Sequence, residues 1–135
     1  MNKNAVIVYV EDDSKSQMVV SVILSKRMNI GQLVVFDDSE DFLPRMEAVA
    51  PVPNLILLDI HVKPLNGFAM LNVLRGVPRF KQVPVVALTA SVMNEEIQLL
   101  KNAGFDGCLA KPINLTTFPQ HIERLLKGER VWAIV

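Results

Sequence analysis

One cysteine, Cys108, stands in 135 residues, so no disulfide forms within the chain, which fits a reducing compartment. An excess of either charge is missing as well. Fourteen basic and fourteen acidic residues leave a formal net charge of zero, with no basic stripe to hold nucleic acid. No apolar run approaches the roughly 18 residues that a membrane-spanning helix needs. Met1-Asn2-Lys3-Asn4 leads into a short strand-like run ending in Glu11-Asp12-Asp13, which is not the pattern of a signal peptide. Repeats, low-complexity tracts and linkers are lacking before the tail from Glu129. These absences predict a cytoplasmic chain with neither nucleic acid nor membrane as a partner. The length predicts one domain over 1–128, with a short apolar tail over 129–135.

What the chain has is hydrophobicity: 50% of residues are hydrophobic and the mean hydropathy is +0.30. A parallel sheet covered on both faces accounts for this, because its strands carry few polar positions. Leu55-Ile56-Leu57-Leu58 reads as such a strand, and Asp59 follows where the strand runs out of cover. Ligands of open α/β sheets bind outside the carboxyl ends of strands, which puts Asp59 at the mouth of a site. By itself an aspartate there also serves to start a turn. Further strands are expected at 5–10, 33–36, 83–88 and 108–110. Helices are expected from Ser14 as N-cap to a stop at Gly31, from a cap at Asp37-Asp38-Ser39 to Val49, and from Gly67 to Gly76. Two more are expected from about Glu95 to Gly104 and from Asn114 as cap to Leu126. Pro44 and Pro119 fit only in the first turns of their helices. Five strands alternating with five helices specify a parallel sheet with right-handed crossovers and helices on both faces.

Four of these strands end in polar groups: Glu11-Asp12, Asp59, Thr89 and Lys111. Parallel strands point one way, so these ends gather at one edge. Crowded carboxylates repel unless a cation joins them, and hard oxygen ligands suit Mg²⁺, which recruits phosphate oxygens. An ammonium and a hydroxyl beside them can contact the same phosphoryl oxygens, with one carboxylate as nucleophile. Each group has a plainer use when taken alone. An acidic triplet caps a helix, threonine is common at strand ends, and Lys-Pro makes a turn. Glu11 and Asp12 follow the strand directly and are read as the pair, with Asp13 left as a cap. His61 has no second histidine or cysteine at ligand spacing, His121 reads as a surface residue, and Cys108 as a small buried hydrophobe.

As a set, Glu11-Asp12, Asp59 with Gly67 eight residues on, Thr89-Ala90 and Lys111-Pro112 resemble the receiver domain of two-component response regulators, over residues 5 to about 127. The resemblance implies a flavodoxin-like doubly wound fold with strand order 2-1-3-4-5. It implies that Asp59 accepts phosphate and that Mg²⁺ is held by Asp12, Asp59 and the backbone carbonyl of His61, with Glu11 acting through a bound water. Thr89 then contacts the phosphoryl group, Lys111 pairs with it, and the Lys111-Pro112 bond is often cis. Two positions depart from the family's habit. Lys63 stands where proline is usual, with Pro64 following, and Cys108 stands where an aromatic residue often changes rotamer on activation.

The expected function is that of a stand-alone receiver and not an enzyme, phosphorylated by a sensor histidine kinase or a histidine phosphotransfer protein. Its output is a contact with a downstream protein or onward phosphotransfer. Two other readings use the same residues. A degenerate receiver serves only as an interaction module, whereas an aspartyl-phosphate phosphohydrolase wants an acid two residues after its nucleophile, where this chain has His61.

Overall fold

The computed structural model describes residues 3–133. Chain order alternates strand and helix: β1 (Val6–Val10), α1 (Ser14–Val22), β2 (Gln32–Phe36), α2 (Phe42–Glu47), β3 (Leu55–Asp59), α3 (Gly67–Arg75), β4 (Val85–Thr89), α4 (Asn94–Ala103), β5 (Gly107–Ala110), α5 (Phe118–Leu126) and β6 (Val131–Ala133). The described strands form one parallel sheet in the order β2-β1-β3-β4-β5-β6. The expected order 2-1-3-4-5 is present, with one strand added at its end.

Strands β1, β3 and β4 are buried at every position, which is why their sequences read as unbroken aliphatic runs. Side chains alternate between the two faces of the sheet. Val6, Val8, Val10, Ile56, Leu58, Val85, Ala87 and Cys108 pack with Met46, Met70, Leu74, Ile97 and Leu100. Ile7, Tyr9, Leu55, Leu57, Val86, Leu88 and Leu109 pack on the other side with Val20, Leu24, Phe118, Ile122 and Leu125. Helices α2, α3 and α4 therefore cover one face, and α1 and α5 the other. Register then fixes the edge: Val10 lies beside Leu58, Asp59 beside Leu88, and Thr89 beside Ala110.

Helix boundaries differ from expectation where capping chemistry is shared among neighbours. Asp13, not Ser14, caps α1, its Oδ2 accepting from the Ser16 N–H at 2.9 Å and the Ser16 hydroxyl at 2.7 Å. The helix passes into a π-helical turn over Ile23–Arg27, and the chain turns away at Asn29 (φ 53°), before Gly31. Asp37-Asp38-Ser39 does not cap α2, which starts from Asp41 in the left-handed region (φ 49°) and ends at Glu47. Asn114 caps a turn ahead of α5, its Oδ1 accepting from the Thr116 and Thr117 N–H groups at 2.8 and 3.0 Å. Pro44 is the third residue of α2 and Pro119 the second of α5, positions where a missing N–H costs little.

Ile134 and Val135 lie outside the described residues; within the described part of the tail, Val131–Ala133 pair in parallel with β5. Gly107 makes this possible: a Cβ there would stand 2.3 Å from the Val131 carbonyl oxygen. Trp132, the only tryptophan, lies under the Lys101 ammonium, 5.1 Å from its ring centroid. Gly107→Ala is therefore expected to undock β6 and leave the five inner strands folded. Tryptophan emission should shift to the red with little change in far-ultraviolet dichroism; unchanged emission would show that β5 tolerates the methyl group.

Candidate functional site

The polar ends of β1, β3, β4 and β5 meet at the C-terminal edge of the sheet, as parallel strands require. Glu11 follows β1 directly, its N–H bonded to the Phe36 carbonyl at 3.0 Å. Asp59 and Thr89 end β3 and β4, and Lys111 follows β5. Glu11, Asp12 and Asp59 each present a carboxylate oxygen, all within 4.8 Å of one another. Glu11 and Asp59 are buried and Asp12 is exposed, so the cluster is closed below and open to solvent through Asp12. Asp13 stands apart as the cap of α1, so the acidic pair is Glu11 and Asp12.

Lys111 Nζ lies 2.9 Å from Glu11 Oε1 and 3.5 Å from Asp59 Oδ2. Burial alone would lower the pKa of this ammonium, but the two carboxylates outweigh it and hold it above its usual value. Asp59 Oδ1 accepts a hydrogen bond from the His61 N–H at 3.1 Å, so the Asp59 carboxylate is held at both oxygens. Burial, and then the proximity of Asp59, push the Glu11 carboxyl up to about 7, against the pull of Lys111.

Two residues that serve this site were not legible as such. Tyr9, two positions before Glu11 and so on the same side of the strand, donates its hydroxyl to Glu11 Oε1 at 3.1 Å. Burial, and then the Glu11 charge, push its phenol far above the usual value. Gln17 on α1 donates to the Glu11 carbonyl and to Asp37 Oδ1 at 2.9 Å, tying the ends of β1 and β2 to that helix. The spacing of two was the available signal for Tyr9, whose place in the strand suits the core equally well.

Thr89 is buried in the group but not bonded to it. Its Oγ1 accepts from the Ser91 N–H at 3.1 Å and faces the Ser91 carbonyl at 3.4 Å. Beside it lies a cavity of about 260 Å³ lined by Ile60, His61, Phe68, Ser91, Leu99 and Leu100 among others. Cys108 is fully buried, and burial pushes its thiol up to about 11. His121, on α5, is half-buried and lines a cavity with Lys111, Pro112 and Ala133. Burial, and then the charge of Arg124, lower its pKa. Lys111-Pro112 is cis, as the resemblance implied, and so are Lys63-Pro64 and Ala50-Pro51.

Three hard carboxylate donors, two of them buried beside a single ammonium, suit a divalent oxygen-seeking cation such as Mg²⁺, with Asp12 leaving room for waters. The chemistry of the donor set therefore fits that ion.

Comparison with known proteins agrees with this geometry. A family profile described as the response regulator receiver domain matches residues 7–123. The chain is 33% identical over 78 residues to the peroxide stress-activated histidine kinase mak1 of Schizosaccharomyces pombe, which is 56% of this chain and 4% of that one. It is 28% identical over 74 residues to the polar-differentiation response regulator DivK of Brucella ovis, 55% of this chain and 60% of that one. The chain thus spans a small part of the kinase and just over half of the regulator. Among solved structures, the receiver domain of sensor histidine kinase PA1611 from Pseudomonas aeruginosa superposes with a TM-score of 0.74 at 24% identity, covering 93% of this chain and 96% of that one. At that identity the likeness speaks for the fold alone. The family match includes Glu11, Asp12, Asp59, Thr89 and Lys111 within its bounds, and this chain belongs to the response regulator receiver domains of two-component phosphorelay signalling.

Proposed function

We propose that this chain is a phosphorylation-controlled switch whose Asp59 accepts a phosphoryl group from the phosphohistidine of a histidine kinase or phosphotransfer protein. The observation that carries this reading is the state of Asp59. It is a buried carboxylate with one oxygen on the His61 N–H and the other facing Lys111, beside Glu11 and Asp12. Such a group is neither a surface charge nor a helix cap.

In the transfer, a carboxylate oxygen of Asp59 forms a bond to phosphorus while the phosphorus–nitrogen bond of the donor breaks. The bonding pair stays on the imidazole nitrogen, and an acyl phosphate is left on Asp59. Glu11, Asp12, Asp59 and the His61 carbonyl would hold Mg²⁺, which neutralises charge on the phosphoryl oxygens when bound. Lys111, already between Glu11 and Asp59, offsets the charge added to Asp59. Thr89 supplies the readout. Its hydroxyl leaves the long contact to Ser91 for a phosphoryl oxygen, which draws the chain after β4 inward and shifts the start of α4. A contact that exists in only one state is what moves such an equilibrium, and Cys108 has no ring to add to it. A downstream protein then reads the altered surface.

Intact mass after incubation with Mg²⁺ and acetyl phosphate tests the acceptor. One phosphoryl group is expected in wild type and none in Asp59→Asn. Persistent labelling of the variant would move the acceptor elsewhere, and an unlabelled wild type would favour an interaction module.

Amide exchange tests the readout. Acetyl phosphate should change exchange most between the end of β4 and the first turn of α4, and Thr89→Ala should largely remove that change. A Cys108→Ala variant that removed it equally would place Cys108 in the switch.

A pH dependence follows from Glu11. Its carboxyl titrates near 7 when folded and near the ordinary 4.5 when unfolded, so the folded chain binds the extra proton between those values. Metal-free stability contributed by this group therefore falls as pH rises through that window. Calorimetry at about pH 5 and about pH 7 should show a flatter melting temperature in Glu11→Gln than in wild type. Equal slopes would mean that Lys111 holds Glu11 charged throughout.

A further inference from the structure

Among the described residues the buried polar or charged side chains are Glu11, Asp59, Thr89 and Ser39. The first three belong to the site, whereas Ser39 lies in the connection between β2 and α2. It is only 1% exposed, yet it caps no helix. Its hydroxyl donates to the Leu65 carbonyl at 2.7 Å and accepts from the Leu65 N–H at 2.6 Å. Its own N–H donates to the Lys63 carbonyl at 3.1 Å. A serine hydroxyl has one proton and two lone pairs, and here both functions go to the main chain of one residue. Three hydrogen bonds thus fasten a single short stretch of the connection between β3 and α3.

That connection begins at Asp59. Its base is closed by the Gly67 N–H on the Ile60 carbonyl at 3.0 Å. Gly67 suits this close approach, because a Cβ would stand 3.0 Å from the Ile60 Cα. Between base and tip lies His61, whose N–H holds Asp59 Oδ1. The support on the far side is itself anchored. Gln17 ties Asp37 to α1, and Asp38 holds the Glu40 N–H at 3.0 Å and Arg45 Nη1 at 2.9 Å. A clamp with a fixed base restricts what it grips. Loops lacking such ties move readily, since their main-chain groups exchange partners with water.

We propose that Ser39 is a positioning residue for the phospho-acceptor. By clamping Lys63 and Leu65 to the β2–α2 connection, it holds the His61 main chain against Asp59 and at the metal-binding side of the site. The clamp acts where this chain has Lys63-Pro64. The proposal rests on the reading of Asp59 as acceptor and extends it to a residue on a different connection that touches neither phosphate nor metal. A merely structural hydroxyl would satisfy Leu65 and go no further.

The test uses the full chain and the variants S39A and S39C, first without metal and then with Mg²⁺ alone. Amide exchange of metal-free S39A should quicken at His61 as well as at Leu65. Calorimetric titration with Mg²⁺ should show affinity weakened by about tenfold, the lower end of what loss of a supporting hydrogen bond costs at metal sites. S39C keeps the side-chain shape with a larger, weakly donating S–H and should show a smaller change in the same direction; it carries the test if S39A does not fold. Faster exchange at Leu65 alone, with His61 exchange and Mg²⁺ affinity as in wild type, would overturn the proposal. Failure of the wild-type chain to take phosphate from acetyl phosphate would count against the acceptor reading. The exchange and titration comparisons would still decide the role of Ser39.

Discussion

Like charges held at close quarters are the constraint on which this site turns. The parallel sheet delivers Glu11, Asp12 and Asp59 to one edge, where their oxygens lie within 4.8 Å of one another. Two of these carboxylates are buried, so water does little to screen them. Lys111 is the cation that meets both buried members, and it can do so only because β5 runs parallel to β4 and ends level with it. Tyr9 and the Asp13 N–H supply further hydrogen bonds to Glu11. The cluster is thus stabilised from beneath and short of positive charge at its open side, the arrangement that a divalent cation would complete.

The surrounding connections decide how firmly the Asp59 carboxylate is held. Asp59 takes its hydrogen bond from the loop that follows it, so the carboxylate is only as well placed as that loop. Ser39 and Gly67 hold the loop at its tip and base. Thr89, by contrast, is engaged with its own turn through one ordinary and one long contact, and beside it lies a cavity. One wall of the site is therefore stiff and the other has a partner it can exchange.

The added strand β6 changes the outer edge of the sheet. In its absence β5 would present unpaired main-chain groups at the edge, a template for pairing with another chain. Val131–Ala133 cover that edge, helped by Gly107 below and by Lys101 over Trp132. Ala133 of the covering strand lines a cavity with His121.

Much of this was written in local pattern. Unbroken aliphatic runs ending in Glu11-Asp12, Asp59, Thr89 and Lys111 determined a doubly covered parallel sheet and the edge where its polar groups meet, because strand burial and direction follow from the residues of each strand. The clustering of Glu11 and Asp12 with Asp59 follows from their place directly after β1. Cap positions were less so: Asp13 and Ser14, or Asp37 to Asp41, offer several equivalent side chains within one turn, and only the geometry of the chain chooses among them. Tertiary structure alone decided that the Tyr9 hydroxyl serves Glu11, that Ser39 grips Leu65, that Thr89 is bonded to Ser91, and that Val131–Ala133 form a strand. The Ser39 and β6 contacts join residues 26 and 24 or more positions apart, and composition or periodicity within one element carries no record of a partner on another. Tyr9 was near enough to Glu11 to be paired on paper, but its alternation fits the core equally well; the hydroxyl's direction is set by what packs around the ring.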